Sequence, residues 1–138
     1  MNISEVMTRE IHTCSASDTL TECAREMAEN NVGLLPVLDE NGQLFGVITD
    51  RDIVIGPVAG GLDVRLERVG DFARQRMILA EPGMSIEAAA DLMSDNQIRR
   101  RPVVENGRLI GIVALGDLAV KAEEQLAGHA LHAISMPA

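Results

Sequence analysis

Apolar residues follow a helical spacing in the first third of the chain. Four of them recur at positions i, i+3, i+4 and i+7: Leu20, Cys23, Ala24 and Met27. This spacing places them on one face of a helix, which the pattern predicts from about Thr19 to Asn31. Thr19 and Glu22 have the separation of a capping box, in which each side chain accepts a hydrogen bond from the other residue's backbone N–H.

The spacing then changes to two short apolar runs joined by a turn. The runs cover Val32–Leu38 and Leu44–Ile48, and Asn41-Gly42 lies between them. Asn-Gly between apolar runs is typical of a β-hairpin. A short strand is expected ahead of the helix, near Ile11–Cys14.

A second helix is predicted to begin after Thr49. Pro57 follows within it, and Gly60-Gly61 comes next. Because proline has no N–H and its ring clashes with the preceding turn, we expect Pro57 to shorten or kink this helix.

The whole pattern occurs twice. Six positions match positions 66 residues later, in the pairs Leu20/Ile86, Cys23/Ala89, Ala24/Ala90, Met27/Met93, Asn30/Asn96 and Pro36/Pro102. After Pro36 the offset falls to 65, so Asp52 matches Asp117. The interpretation is a single α+β module with repeat one near 1–60, repeat two near 66–125 and a C-terminal tail over 122–138. Helices are expected to cover small sheets, and the repeats are expected to pack about a pseudo-twofold axis with one cleft for each copy.

Composition excludes several classes of protein. The chain has 138 residues and a formal net charge of -9, which argues against binding to duplex nucleic acid. It has 2 Phe and no Trp or Tyr, so it lacks the aromatic platforms on which single-stranded bases stack. The apolar runs are too short to span a bilayer, and the N-terminus does not resemble a signal peptide. These features predict a cytoplasmic protein that does not contact membranes.

Reactive side chains give little indication of catalysis. Cys14 and Cys23 are the only cysteines, too few for a disulfide framework and without the spacing of a zinc site. We interpret them as small core residues rather than redox centres. No Ser/His/Asp or paired-carboxylate arrangement has a supporting context, so neither catalytic residues nor metal ligands are predicted.

Three segments carry a family resemblance. Gly46–Ile55 and Gly111–Asp117 resemble the end of a CBS motif, and Ser4–Thr8 resembles the segment that opens many CBS motifs. The resemblance covers nearly the whole chain and identifies it as a CBS-domain pair, or Bateman module. It is similar to small stand-alone bacterial CBS proteins of the hypoxic response protein type.

The resemblance implies a ligand class and candidate ligand-binding residues. CBS pairs commonly bind AMP, ADP, ATP, NAD or S-adenosylmethionine. The family pattern gives Thr49 a contact to phosphate or ribose and gives Asp52 the ribose hydroxyls. In the second copy Asp117 matches, whereas Ala114 replaces the threonine. Two further residues match a strand that lines the base pocket in the family: Ile11 and Thr13.

Thr49 and Asp52 also have a purely structural interpretation. A helix start presents free N–H groups that attract anions, and a carboxylate one turn later can accept from two vicinal hydroxyls. The same two residues, three apart, can equally be an ordinary helix cap. The sequence leaves both interpretations open.

Arg99, Arg100 and Arg101 form the densest basic run of an acidic chain. The resemblance implies that Arg99 and Arg100, three and two residues before Pro102, reach the phosphates of the ligand. Strand alternation puts Arg99 and Arg101 on one face and Arg100 on the other. The alternative is a solvated strand that partly neutralises nearby acidic residues.

Together these features predict a non-enzymatic regulatory module for which an adenine nucleotide is a regulatory ligand and not a catalytic cofactor. The resemblance implies a homodimer, and output through an unidentified protein target. The alternative is a structural or interaction protein with vestigial clefts. An enzyme that uses Cys14 as a nucleophile is a third hypothesis.

Overall fold

The computed structural model describes residues 2–77, 79–95, 100–121 and 123–124. The helices and strands within them are α1 (Leu20–Asn30), α2 (Asp50–Ile53), α3 (Ile86–Asp95), β1 (Cys14–Ser15), β2 (Leu34–Leu38), β3 (Leu44–Thr49), β4 (Arg100–Glu105) and β5 (Arg108–Ala114). Residues 115–121 are also helical. Strands β1, β2 and β3 form one sheet in that order, and β4 pairs with β5 in another. The α+β class predicted from the sequence is confirmed.

Helix α1 begins and ends where its caps require. The Thr19 hydroxyl accepts from the Glu22 N–H at 3.2 Å, and the Glu22 carboxylate accepts from the Thr19 N–H at 3.0 Å. Asn31 closes the helix in the left-handed conformation, with φ of 52°. The predicted capping box is therefore confirmed, and Thr19 and Asn31 are caps rather than helical residues.

Strand β1 is shorter than the sequence indicates. It starts at Cys14 instead of Ile11 and runs parallel to β2, with Cys14 opposite Val37. After Ser15 the chain turns, because the Asp18 carboxylate accepts from the Ser15 N–H at 2.9 Å.

Both hairpins turn at Asn-Gly, as predicted. Gly42 has φ of 76°, while Asn106 and Gly107 have φ of 52° and 80°. Positive φ at two successive residues is the geometry of a tight two-residue turn, which the second hairpin has. The first hairpin uses the longer loop 39–43, in which only Gly42 has positive φ.

Helix α2 is interrupted by Pro57, as expected. Its α-helical part spans Asp50–Ile53 and continues as a π-helix over Val54–Val58. Pro57 cannot donate to the carbonyl one turn earlier, so the α ladder cannot continue. The Ala59 N–H donates instead to Val54, five residues back, at 3.0 Å.

Two compact units divide the chain differently from the sequence repeats. Residues 10–77 with 106–109 form the first-repeat unit, and residues 2–9, 79–95, 100–105 and 110–121 form the second-repeat unit. Each unit thus contains the opening segment of the opposite copy. The expected pseudo-twofold arrangement of the repeats stays a prediction.

Strand bridges fix the exchanged opening segments. Thr8 pairs with Ile112 of the second copy through hydrogen bonds of 2.8 and 3.0 Å. Arg74, 66 residues after Thr8, pairs with Val47 of the first copy at 3.0 and 2.8 Å. Residues 2–8 therefore complete the second copy's fold, and residues 69–74 complete the first copy's fold.

The two cores use matching positions of the repeat. The first-repeat unit buries Cys14, Leu20, Cys23, Met27, Leu35, Val37, Ile48, Ile53 and Val69. The second-repeat unit buries Ile3, Met7, Ala80, Ile86, Ala89, Met93, Val103, Val113 and Leu118. Three of the four residues in the stripe predicted for α1 supply the helix side of its core, whereas the fourth, Ala24, is exposed. The matching helix α3 buries Ile86, Ala89 and Met93. Both cysteines are buried as small core residues.

Gly46 lies where β3 meets the exchanged segment. A Cβ added there would be 2.5 Å from the carbonyl oxygen of Arg74, which is backbone and cannot rotate away. Gly46→Ala is therefore expected to lower the free energy of unfolding by about 1–3 kcal/mol, the usual cost of overpacking. Urea denaturation measures the change. The matched control is Gly83→Ala, since no atom lies within 4 Å of a Cβ at that position. Equal effects of the two variants would contradict the prediction.

Candidate functional site

Thr49 and Asp52 form a reciprocal cap at the junction of β3 and α2. The Thr49 hydroxyl accepts from the Asp52 N–H at 3.1 Å, and Asp52 Oδ2 accepts from the Thr49 N–H at 3.0 Å. Thr49 has extended φ and ψ of -114° and 161°, which lets β3 end and the helix begin at one residue. Thr49 and Asp52 therefore form the helix cap that was one of the two interpretations of this pair. It leaves Asp52 Oδ1 as the oxygen that points away from the cap.

Arg74 occupies that second oxygen. Its Nε and one terminal nitrogen both donate to Asp52 Oδ1, at 2.9 and 2.7 Å. The Asp52 side chain is 8% exposed, whereas the Arg74 side chain is 62% exposed. The arginine therefore covers a nearly buried carboxylate from the solvent side and can leave it without giving up much packing.

The sequence analysis missed Arg74. The signal that could have found it is the match between the opening segments, which aligns Arg74 with Thr8. Because the residue at this position bridges to the strand that precedes the motif helix, it lies beside the motif aspartate. Finding it also requires knowing that the opening segments are exchanged.

The second copy does not reproduce this arrangement. Ala114 precedes the helical residues 115–121 and has no hydroxyl to cap them, and Asp117 is exposed. Thr8 stands where the first copy has Arg74 and offers no cation. Among the described side chains, none forms an ion pair with Asp117. The two carboxylates that the repeat makes equivalent therefore differ in burial, capping and charge partner.

The basic run divides between the two faces of β4, as alternation predicts. Arg100 is exposed, whereas Arg101 is 1% exposed. Arg101 takes the position that Leu35 holds in the first copy, and one of its terminal nitrogens donates to the Leu92 carbonyl near the end of α3 at 3.4 Å. Burial lowers the pKa of the Arg101 guanidinium from its ordinary value. Arg101 is thus a core residue; Arg99 lies outside the described residues.

The remaining candidates belong to the segment before β1. Ile11 and Thr13 are half-buried. They belong to the first-repeat unit together with Thr49 and Asp52, whereas Arg100 and Asp117 belong to the second-repeat unit.

An apolar groove lies between α1 and the start of α2. Its volume is about 420 Å³, and it is lined by Ala24, Met27, Ala28, Asn31, Val32, Gly33, Asp50, Ile53 and Val54. None of the predicted ligand-binding residues lines it. Val54, which lines the groove, is 57% exposed, and Val58, four residues later in the chain, is 51% exposed. We therefore treat the groove separately from the Thr49–Asp52 site.

The described residues contain neither a metal cluster nor a membrane-spanning helix. In the described part of the chain, no three His, Cys, Asp or Glu side chains cluster closely enough to hold a metal ion. None of its helices combines the length and apolar character needed to cross a bilayer.

Comparison with known proteins places these features in a family context. The CBS domain model matches residues 3–56 and 69–124. The chain is 42% identical over 135 residues to CBS domain-containing protein YhcV of Bacillus subtilis (strain 168), covering 97% of this chain and 95% of that protein. It is 34% identical over 133 residues to hypoxic response protein 1 of Mycobacterium tuberculosis, covering 96% of this chain and 93% of that protein.

Solved structures give the same result. Hypoxic response protein I with two coordinated zinc ions matches with a TM-score of 0.78 and 33% identity, over 87% of this chain and 98% of that chain. CBSX2 in complex with AMP matches with a TM-score of 0.77 and 27% identity, over 91% of this chain and 98% of that chain. The tandem α+β fold expected from the resemblance is confirmed.

Proposed function

Because the chain belongs to the CBS domain family as a tandem pair, we propose that it is a non-enzymatic regulatory module for an adenosine-containing ligand. Binding of this ligand changes the conformation of the module, and a protein partner responds to that change. The observation that carries this proposal is the Thr49–Asp52 arrangement, a buried carboxylate with one oxygen fixed by a helix cap and the other turned outward. A relative bound to AMP supports the ligand class.

Asp52 suits a ribose because its outward oxygen is already a hydrogen-bond acceptor. A ribose diol brings two O–H donors, the same number of hydrogen bonds that Arg74 supplies. The ligand and Arg74 therefore compete for Asp52 Oδ1. Since most of the Arg74 side chain is exposed, its guanidinium can turn into solvent once the ligand supplies the hydrogen bonds that the nearly buried Asp52 carboxylate needs. The freed guanidinium is then available for a phosphate.

A nucleotide screen tests the proposal directly. AMP, ADP, ATP, NAD and S-adenosylmethionine are added to the full chain, and binding is followed by thermal shift and calorimetry. At least one is expected to raise the melting temperature, and the rise is expected to grow with the logarithm of its concentration above the Kd, because a ligand that binds only the folded state stabilises it. Inosine and free phosphate are the controls. If none of the five binds, the proposal fails.

Arg100 is proposed to contact phosphates of the ligand, since it is exposed and stands in the basic run of an acidic protein. Arg100→Gln is expected to weaken ATP binding more than adenosine binding, and to flatten the salt dependence of ATP binding. Calorimetry at two salt concentrations measures both. Lys121→Gln, which removes another partly exposed cation of the same unit, is the matched control. Equal losses for ATP and adenosine would contradict a phosphate contact.

The apolar groove is proposed to bind a second copy of the chain. Val54 and Val58 give the exposed apolar surface that a homodimer would bury, and the family resemblance implies such a dimer. Val54→Glu is expected to shift the protein to a monomer in light scattering, because it places a charge in the interface. Leu66→Glu is the matched control, since Leu66 is 71% exposed but does not line the groove. A dimer unaffected by Val54→Glu would refute this interface.

A structural or interaction role with vestigial clefts is the second candidate. It is favoured by the second copy, where Ala114 offers no cap and Asp117 is exposed. This candidate predicts a dimer that binds none of the five ligands, so the screen separates it from the first. The cytoplasmic location and the protein partner stay predictions.

A further inference from the structure

Cys14 and Cys23 face each other inside the first-repeat unit. Cys14 lies on β1 and Cys23 on α1, and their Sγ atoms are 3.9 Å apart. Both are free thiols, with 7% and 0% of each residue exposed. A disulfide has an S–S distance of about 2.0 Å and Cβ atoms about 3.8 Å apart. A small approach of β1 and α1, with rotation about the Cα–Cβ bonds, therefore closes the gap.

The second copy shows that packing does not require sulfur here. Ala80 and Ala89 stand at the positions of Cys14 and Cys23, and each is 1% exposed. The same helix-on-strand contact is thus built once with two alanines and once with two thiols. The only chemistry that the first copy gains from this difference is that of a dithiol.

From this juxtaposition we propose that Cys14 and Cys23 are a modification site, a dithiol that a hydroperoxide converts to an intramolecular disulfide. This property goes beyond ligand binding and does not depend on it. Cys14 and Cys23 are nine positions apart in the chain, and their Sγ atoms are 3.9 Å apart. When one thiol is oxidised, the other is therefore close enough to form the disulfide with it.

The two thiols differ in acidity. The hydrogen bond between the two sulfurs lowers the pKa of Cys23, against the opposing effect of its burial. The same hydrogen bond, together with burial, raises the pKa of Cys14. Cys23 is therefore the more acidic of the two thiols, and we assign it as the attacking sulfur.

The reaction balances with hydrogen peroxide as the oxidant. The Cys23 sulfur attacks one peroxide oxygen, an S–O bond forms, the O–O bond breaks, and the leaving hydroxide takes a proton to become water. The Cys14 sulfur then attacks the Cys23 sulfenic acid, the S–S bond forms, the S–O bond breaks, and a second water leaves. Two thiols lose two electrons, and the peroxide gains them. Because both thiols are buried, we expect slow oxidation that is limited by access.

One tryptic peptide reports the outcome. Arg9 and Arg25 flank the segment 10–25, which contains both cysteines. The folded chain is treated with hydrogen peroxide, blocked with iodoacetamide without reduction, and digested. The expected product is peptide 10–25 without alkylation and lighter by two hydrogens, restored to the doubly alkylated form by dithiothreitol. Circular dichroism before digestion establishes that the oxidised chain is folded.

Two variants test whether the lighter peptide requires both cysteines. Cys14→Ala and Cys23→Ala introduce the residue that the second copy uses, so each is expected to fold. Neither is expected to yield the lighter peptide, and each should instead give the singly alkylated or over-oxidised form. The proposal is overturned if the folded wild-type chain stays doubly alkylated, if it forms disulfides only between chains, or if peptide 10–25 is oxidised only in urea.

Discussion

Removal of residues 2–8 is expected to unfold the second-repeat unit while the first-repeat unit keeps its structure. Ile3 and Met7 are buried in the core formed with α3 and β5, and the Ile3 N–H donates to the Met84 carbonyl at 2.9 Å. Loss of a buried Ile or Met side chain costs about 2–5 kcal/mol, and two such losses approach the whole stability of a small domain. The deletion also strips the edge of β5, where Thr8 pairs with Ile112.

Amide hydrogen exchange distinguishes the two units. Protection is expected to disappear in β4 and β5 and to persist in β2 and β3. The repeat boundaries drawn from the sequence predict the opposite, since residues 2–8 belong to the first copy. Val69→Ala provides the reciprocal test, because Val69 is buried in the first-repeat core at the position equivalent to Ile3. If truncation removed protection from β2 and β3 instead, the exchange of opening segments would be wrong.

Asp52→Ala is expected to weaken binding of the adenosine ligand found by the screen by about 1–3 kcal/mol, the cost of leaving hydrogen-bonding groups unpaired. The variant also removes the acceptor of the Thr49 N–H, and loss of a cap costs about 1 kcal/mol of stability. Since this leaves most of the fold intact, calorimetry on the folded variant measures the change in affinity. Asp117→Ala is the matched control and is expected to have the smaller effect, because Asp117 is exposed and its helix has no such cap.

Arg74→Gln tests whether Arg74 competes with the ligand for Asp52 Oδ1 or helps to bind the phosphate of the ligand. Without the guanidinium, Asp52 Oδ1 is open, so affinity for adenosine is expected to rise. Affinity for AMP is expected to rise less or to fall, because the variant has also lost a cation for the phosphate. Unchanged affinity in both Asp52→Ala and Arg74→Gln would reduce the Thr49–Asp52 pair to a helix cap.

The local sequence pattern predicted the structural features that depend only on residues close together in the chain. The caps of α1, the Asn-Gly turns and the effect of Pro57 follow from backbone chemistry within a few positions, and each is confirmed. The core follows from the same periodicity, read twice. These features were accessible because each is encoded within one copy of the repeat.

Features that join distant segments were not accessible in this way. The two opening segments have the same pattern, so nothing local determines which copy each one completes. The Arg74–Asp52 ion pair depends on that choice, as does the burial of Ile3. Arg101 illustrates a second limit. Strand alternation predicted that it shares a face with Arg99, but a run of three arginines indicates an exposed segment, whereas Arg101 occupies a core position.

The exchange of opening segments also sets an order of assembly. During synthesis the core of the first-repeat unit can close once residues 69–74 have emerged, because its buried residues all lie between Cys14 and Val69 and Arg74 supplies the bridge to Val47. Residues 2–8 are made before the other described residues but have no strand to join until β5 exists. Ile3 and Met7 therefore stay without their core until nearly all of the described chain has been made. Contacts between such distant segments form slowly, because the loop must close before they stabilise anything. Residues 2–8 are thus made before their native partners and are among the last of the described residues to reach them, so the second-repeat unit completes folding last.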